Sequence, residues 1–197
     1  FKKAVKSAFK QLEDLDINHL AIDLRDNQGG ALSNGIYLLK HFMDQKFQCV
    51  NSYYILKKGK LKKLTSHWDD YFKPHRQHHY KGEVCIFQNG GSFSCSSIVA
   101  NTFQQYNKGP IIGTMSGGSA FVNSGAPNKE ITLPNTQIIF TIPRTQYNLR
   151  NAGSPIEQGV LPDIEVQDDH RRVLGLTDPY IDAFYAHYKI PRLNDYE

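Results

Sequence analysis

Two glycine loops, each placed between an apolar run and a helical pattern, constrain the fold of this chain more than any other feature. The first loop, Asp26–Gly30, follows the apolar run 20–24, and the second loop, 89–94, follows the predicted strand Glu83–Gln88. A strand, a loop and a helix form the first half of a βα unit, so the pattern favours an α/β fold with parallel strands. Functional loops in such sheets collect beyond the carboxyl ends of the strands. Both loops are therefore expected to face one crevice.

The remaining elements are predicted from apolar periodicity and from the Gly, Pro and Asn residues that interrupt it. The predicted helices are 1–16, 31–47, 95–106 and about 178–188, the predicted strands are 49–56 and 110–113, and a hairpin joins 131–133 to 137–142. The polar and aromatic stretch 61–80 is interpreted as a loop or lid. A chain of 197 residues suits one domain, 1–197, with a motif-bearing core over about 17–166.

Composition and charge narrow the function classes. The net charge of +4 is mild, so we predict no nucleic-acid partner. The longest apolar runs are too short for a membrane-spanning helix, which needs about 18 apolar residues. The cysteines lack metal spacing, and no acidic partner pattern accompanies His75 and His79 at i, i+4. We therefore predict neither a metal site nor a cofactor.

The first loop has the composition of an oxyanion hole. Consecutive glycines, Gly29 and Gly30, leave their backbone N–H groups unobstructed, and the helix that follows adds partial positive charge. Amides placed in this way stabilise the anion that forms during acyl transfer. A plain strand-to-helix turn is the alternative, because glycine is common in turns. The loop matches neither of the glycine patterns that bind phosphates.

The second loop places Ser94 between a strand and a helix. A hydroxyl at such a turn is exposed at the edge of the sheet, as in a nucleophile elbow, although the pattern G-x-S-x-G is absent. A serine before a helix is also a common N-cap. Ser92, Ser96 and Ser97 compete for that structural role.

Three motifs, taken in order, resemble one family. Residues 22–30, Ile-Asp-Leu-Arg-Asp-Asn-Gln-Gly-Gly, resemble the Asp-Leu-Arg-x-Asn-x-Gly-Gly signature of the C-terminal processing (tail-specific) serine peptidases. Residues 92–100 resemble the nucleophile segment of that family, and Gly-Val-Leu-Pro-Asp-Ile-Glu-Val at 159–166 resembles its closing motif. The resemblance implies a crotonase-like superhelix of ββα units, the fold shared with the caseinolytic protease family.

The resemblance also implies roles for individual residues. The nucleophile would be Ser94, and the oxyanion hole would combine the Gly29 and Gly30 backbone with the Cys95 N–H. Arg25 and Asn27 would shape the first loop, although a salt bridge from Arg25 to Asp23 or Asp26 is an equally open interpretation.

The chain lacks the residues that commonly supply and support the general base in this family. Ser119 stands where many processing peptidases have a lysine base, and Ser97 replaces their glutamate. The chain is thus closer to the tricorn-like branch, which uses a histidine upstream of the first motif and a supporting glutamate, here matched to Glu157. The chain starts without Met inside a predicted helix, so we expect an incomplete N-terminal portion, with the base outside it. The histidines of the lid stretch remain the alternative bases: His67, His75, His78 and His79.

These observations favour a serine endopeptidase that forms an acyl-enzyme with a polypeptide substrate. A catalytically degenerate, peptide-binding module is the first alternative, because both familiar bases are missing. An acyl-CoA enzyme of the crotonase fold is the second, since it also uses paired amides. The resemblance implies an extracytoplasmic location, in a bacterial periplasm or cell envelope. The cleavage preference and the oligomeric state stay open.

Overall fold

The computed structural model describes residues 1–65, 67, 70–150, 158–167, 174–175 and 177–191. Within these residues the elements are α1 (Lys2–Asp14), β1 (His19–Asp23), α2 (Leu32–Leu39), β2 (Val50–Lys57), β3 (Lys60–Leu64), β4 (Glu83–Gln88), α3 (Cys95–Gln105), β5 (Ile111–Gly113), β6 (Val122–Thr132), β7 (Ile139–Leu149), β8 (Ile164–Glu165) and α4 (Pro179–Tyr188). No helix among the described residues is long and apolar enough to span a membrane.

A parallel sheet carries both glycine loops. Its strand order is β1-β4-β5-β8, and β1 pairs with β4 in the register Leu20 to Val84. Strand β4 is central and buried from Val84 to Gln88, as expected for a parallel strand that is covered on both faces. Because β1 and β4 are parallel neighbours, their carboxyl ends lie side by side. The predicted α/β class is confirmed.

A second sheet is antiparallel, with the order β3-β2-β7-β6. The predicted hairpin is confirmed as β6 and β7, but each strand has 11 residues and is longer than predicted. The interpretation of 61–80 as a loop is wrong at its start, because Lys60–Leu64 forms β3. Three lysines in this strand hide the apolar signal, and lysines are well tolerated on an exposed edge strand.

The second helix ends earlier than the apolar pattern predicts. Helix α2 covers Leu32–Leu39, and residues 40–43 continue in tight turns instead of running on to residue 47. Phe42, Met43 and Phe47 are nevertheless buried, and Phe47 forms an isolated bridge with Phe72. The apolar residues therefore mark the core correctly, although their backbone is not helical.

Helices cover the parallel sheet on its two faces. Helices α2 and α3 pack together on one face, where a Cβ on Gly35 would lie 2.8 Å from both Cys95 Sγ and Val99 Cγ2. Helix α4 covers the other face, where Tyr180 packs against Phe87. The close approach at Gly35 brings the start of α2 beside the start of α3. Both helices follow glycine loops, so the fold brings the two loops together.

Candidate active site

Ser94 stands at the turn between β4 and α3 in a strained backbone conformation. Its φ of 53° and ψ of −119° place a non-glycine residue outside the regions that L-residues ordinarily occupy. Ser94 is the residue before the first turn of α3, but its side chain makes no capping hydrogen bond. Strain of this kind persists only where the surrounding structure holds it, and it is frequent at functional sites.

The neighbouring serines have structural hydrogen bonds. Ser92 Oγ donates to the Leu24 carbonyl at 2.7 Å, and Ser96 Oγ donates to Asn27 Oδ1 at 2.8 Å. Ser97 Oγ donates to the Ser94 carbonyl at 2.8 Å. The Ser94 hydroxyl makes no hydrogen bond to any residue in the described part of the chain. Ser94 thus occupies the N-cap position of α3 without capping the helix through its side chain, and its hydroxyl is left for another partner.

The first glycine loop lies directly against this turn. Gly29 has a φ of 93°, and a Cβ added there would lie 2.6 Å from the Phe93 carbonyl oxygen and 2.7 Å from the Cys95 nitrogen. Only glycine fits at such a distance from backbone atoms. The expectation that both loops face one crevice is confirmed.

The amides of the two loops differ in their partners. The Gly29 N–H donates to Asn27 Oδ1 at 2.9 Å and is already engaged. The N–H groups of Gly30 and Cys95 have no hydrogen-bond partner within the described ranges. Cys95 opens α3, so its N–H also lies at the positive end of the helix dipole. Both residues line the same cavity as Ser94, so two unengaged donors belong to the lining of the Ser94 cavity.

Asn27 ties the first loop to the second. Its side-chain oxygen accepts hydrogen bonds from Gly29 and Ser96, and its carbonyl accepts one from the Phe93 N–H at 3.0 Å. These contacts agree with the loop-shaping role expected for Asn27. They also show that Ser96 helps to hold Asn27 in place, a structural role that the serine pattern alone does not reveal.

Two cavities include Gly30 and Cys95 in their linings. One of about 190 Å³ is lined by Ser94, Gly30, the inner end of β6 at 123–126, and Tyr147. The other, of about 230 Å³, is lined on its apolar side by residues that include Leu38 and Val99. Ser94 therefore faces a cleft between the glycine loop and an edge strand of the antiparallel sheet.

The Cys95 side chain does not compete with Ser94 as a nucleophile. Burial raises the pKa of the Cys95 thiol above its usual value, so the reactive thiolate is disfavoured. The thiol also donates to the Ala31 carbonyl at 3.6 Å.

Arg25 links the first loop to the last helix. Its guanidinium contacts both oxygens of Asp23 and, at 2.8 and 2.9 Å, both oxygens of Asp178, the N-cap of α4. Burial alone would lower the pKa of Arg25, but the two carboxylates outweigh burial and raise it. The salt-bridge interpretation of Arg25 is confirmed for Asp23, and Asp178 is a partner that the sequence does not reveal.

Replacing Arg25 with Ala should lower the free energy of unfolding by about 2 kcal/mol, because hydrogen bonds to charged groups are worth roughly that much and two carboxylates lose their partner. Denaturant unfolding measures the change. Lys58→Ala in the exposed turn between β2 and β3 is the control and should change stability little. Equal stability of the two variants would contradict the structural importance of this cluster.

Ser119 is not oriented as a base for Ser94. Its hydroxyl accepts from the N–H groups of Phe121 and Val122 at 3.0 and 3.2 Å, which fixes the turn into β6. Lys108 pairs with Asp44, and Lys129 is exposed on β6. Neither lysine belongs to the Ser94 cavity.

The four histidines of the lid stretch lie away from Ser94. His78 contacts Glu13 at 2.6 Å, His79 contacts Asp44 at 3.3 Å, and His75 packs against His41. His75, His78 and His79 precede β4 whereas Ser94 follows it, and six strand residues span about 20 Å. His67 follows β3, at the opposite edge of the antiparallel sheet from β6. The alternative of a histidine base from the lid stretch is thus disfavoured, and 75–79 forms no helix.

Acid should weaken the fold through the packed pair of the buried His41 and the half-buried His75. Burial lowers the pKa of His41 and of His75 below 6.5. An imidazole whose pKa falls on folding binds its proton more tightly in the unfolded chain than in the folded protein. The folded state therefore has its full stability above pH 6.5 and loses stability as the pH falls below that value. Urea unfolding between about pH 7 and pH 5 measures this loss, and His41→Phe should reduce it. A wild-type stability that stays constant over this interval would contradict the prediction.

The closing motif packs beneath the second loop. Gly159 bridges to Ser119, and the buried Val160 accepts a hydrogen bond from Gln88 Nε2 at 2.7 Å. Glu157 lies outside the described residues, so its predicted role stays a prediction. The three motifs thus converge on one end of the parallel sheet, around β4.

Asn89 is the main polar residue of the site that sequence reasoning missed. It follows the last residue of β4 and its side chain contacts Asp26 and Gly91. The available signal was its position, since polar side chains at the carboxyl ends of parallel strands collect at functional sites.

Known proteins are similar to this chain in sequence and in fold. Peptidase family S41 matches residues 1–166. A probable CtpA-like serine protease of Staphylococcus saprophyticus is 25% identical over 165 residues, which cover 83% of this chain and 30% of that protein. A tail-specific protease of Haemophilus influenzae is 28% identical over 164 residues, which cover 81% of this chain and 22% of the relative.

The fold agrees with the same relationship. Mature CPAF complexed with lactacystin matches with a TM-score of 0.72 at 15% identity, over 96% of this chain and 46% of CPAF. This likeness confirms the fold expected from the resemblance. The chain spans less than a third of the length of the two curated relatives. The family match covers residues 1–166, a range that includes all three motifs, so the chain belongs to peptidase family S41.

Proposed function

We propose that this chain carries the nucleophile and the oxyanion hole of a serine endopeptidase. One observation carries the proposal: the Ser94 hydroxyl, unpartnered among the described residues, stands on a strained turn and shares one cavity with two residues whose amides are unengaged there, Gly30 and Cys95. Serine proteases need this arrangement of a free hydroxyl and oriented backbone donors.

In the proposed reaction, Ser94 Oγ attacks the carbonyl carbon of the scissile peptide bond and a general base accepts its proton. The carbonyl oxygen becomes an oxyanion, which the Gly30 and Cys95 amides bind. The proton then passes to the leaving amine as the C–N bond breaks, and water hydrolyses the acyl-enzyme. The Gly29 N–H already donates to Asn27, so we propose that Gly29 holds the loop against the turn and that the oxyanion hole consists of Gly30 and Cys95, without the Gly29 amide that the resemblance included.

We assign the base to a histidine outside the described residues. The contacts of Ser119, Lys108 and the lid histidines support this assignment, because each of these side chains has another partner or another location. The resemblance to the tricorn-like branch places such a histidine upstream of the first motif. Glu157 would orient it, as the same resemblance implies.

The substrate class follows from the edge strand beside Ser94. Strand β6 ends its sheet and lines the Ser94 cavity with residues 123–126. An extended polypeptide can add to such an edge through backbone hydrogen bonds, which suits a protease that accepts varied sequences. Family resemblance further favours a location outside the cytoplasm.

A degenerate, peptide-binding module is the second candidate, favoured by the serine at the lysine position. Membership of a peptidase family argues against the acyl-CoA alternative.

Hydrolysis of an unstructured polypeptide by the full-length protein tests the proposal. Mass spectrometry should find new internal cleavage products, whereas an acyl-CoA thioester should not be consumed. Binding of the polypeptide without cleavage would support the degenerate module instead. Thioester turnover without peptide cleavage would overturn the peptidase assignment.

A further inference from the structure

A single side chain joins the bases of the two catalytic loops. Asn89 is 6% exposed and follows β4 directly. Its Oδ1 accepts hydrogen bonds from the N–H groups of Asp26, at 2.9 Å, and Gly91, at 3.0 Å. Its Nδ2 donates to Asp26 Oδ1 at 3.1 Å. Asp26 belongs to the first loop and Asn89 to the second, so the two hydrogen bonds to Asp26 form a clasp between the loops, and the bond from Gly91 holds the Asn89 side chain within its own loop.

The packing around the clasp leaves little room for adjustment. A Cβ on Gly91 would lie 2.6 Å from Asp26 Oδ1 and 2.7 Å from Asp26 Cα. Asp26 itself has a φ of 58°, a left-handed conformation that suits Asp but not bulky residues. The Asn89 N–H donates at 3.0 Å to Ser92 Oγ, which in turn reaches the Leu24 carbonyl. The bases of both loops are therefore fixed relative to each other.

The clasp joins the first residues of the two loops that carry the proposed catalytic groups. The first loop runs from Asp26 to Gly30 and the second from Asn89 to Ser94, so each is only a few residues long. Short loops transmit a displacement at their base to their tip. A shift of about 1 Å between reacting groups can reduce a rate about 10²-fold.

We infer that Asn89, through Asp26, is a positioning residue that sets the Gly30 amide relative to Ser94 and the Cys95 amide. This inference rests on the proposed function. The clasp does not touch the cavity beside β6, where the substrate would bind. Loss of the clasp should therefore reduce kcat and leave KM nearly unchanged.

A double-mutant cycle that exchanges the amide and the carboxylate between positions 89 and 26 tests the pairing in the full-length protein. Asn89→Asp replaces the Nδ2 donor with a carboxylate oxygen that faces Asp26 Oδ1, and kcat should fall about 10- to 100-fold. Asp26→Asn measures the cost of changing the partner alone. The double variant Asn89→Asp/Asp26→Asn again pairs one amide with one carboxylate, and it should recover most of the kcat lost in Asn89→Asp.

Asn101→Asp is the matched control, because Asn101 is also buried but contacts the Arg150 carbonyl, away from both loops. It should lower the melting temperature and spare kcat. If Asn89→Asp does not fold, Asn89→Ser serves in its place and should show the same loss of kcat. A wild-type kcat in the Asn89 variant, or a double variant no better than Asn89→Asp, would overturn the pairing.

Hydrogen exchange separates the clasp from the proposed function. The amides of Asp26, Gly29 and Phe93, which donate hydrogen bonds within and between the two loops, should exchange faster in Asn89→Asp and return towards wild-type protection in the double variant. If the wild-type protein cleaves no polypeptide, the proposed function fails, and this exchange pattern alone decides whether the clasp positions the loop. Unchanged exchange in Asn89→Asp would overturn the clasp.

Discussion

Replacing Ser94 with Ala should abolish peptide hydrolysis by the full-length protein, with a loss of about 10⁴-fold or more in kcat. The Ser94 hydroxyl has no structural hydrogen bond among the described residues, so its removal should leave the melting temperature nearly unchanged. The substitution thus isolates chemistry from folding. Steady-state hydrolysis and thermal unfolding of the same preparation measure both effects.

Ser124→Ala is the matched control for this experiment. Ser124 is exposed on β6 and lines the same cavity, so its loss tests whether any hydroxyl there is needed. It should retain most of the activity. Hydrolysis that survives in Ser94→Ala would remove Ser94 from the reaction.

Replacing Gly29 with Ala should impair activity about 10²-fold or more and should also destabilise the protein. The added Cβ would overlap the Phe93 carbonyl oxygen and the Cys95 nitrogen, which belong to backbone and cannot rotate away. The φ of 93° at Gly29 adds strain for any L-side chain. The loop must therefore move away from the Cys95 amide, and losing one oxyanion donor costs about 10²–10³ in rate.

Gly90→Ala provides the comparison for Gly29→Ala. Gly90 lies in the second loop, and a Cβ there would meet nothing within 4 Å. This variant should keep both its activity and its melting temperature. If Gly29→Ala behaved like Gly90→Ala, the close contact between the two loops would not matter for catalysis.

Strand β4 shows why part of the fold was predictable from the sequence. Its predicted and observed limits agree because Gly82 and Asn89 bound an apolar run on both sides. Strand β3 was missed because three of its five residues are lysines, which are depleted in strands generally but tolerated in an edge strand. Local composition does not reveal that this segment lies at the edge of a sheet. The end of α2 was also missed, since apolar side chains beyond Leu39 enter the core from turns.

The candidate site was predictable where the residue type itself indicates which backbone or side-chain group is available. Consecutive glycines before a helix and a serine after a strand point to amides and a hydroxyl at one edge of the sheet. Asn89 could not be assigned, because its partner Asp26 lies 63 residues away in sequence. A polar residue after a strand has many possible roles, and only the packed structure distinguishes them.

The central claim is that Ser94 is a nucleophile activated by a general base, and fluorophosphonate labelling tests this claim most directly. A fluorophosphonate reacts with a serine that a base has activated, and intact mass then counts the adducts on the full-length protein. We expect one adduct on the wild-type protein and on Ser124→Ala, and none on Ser94→Ala. An adduct that persists in Ser94→Ala, or a folded wild-type protein that takes up no label, would contradict the account.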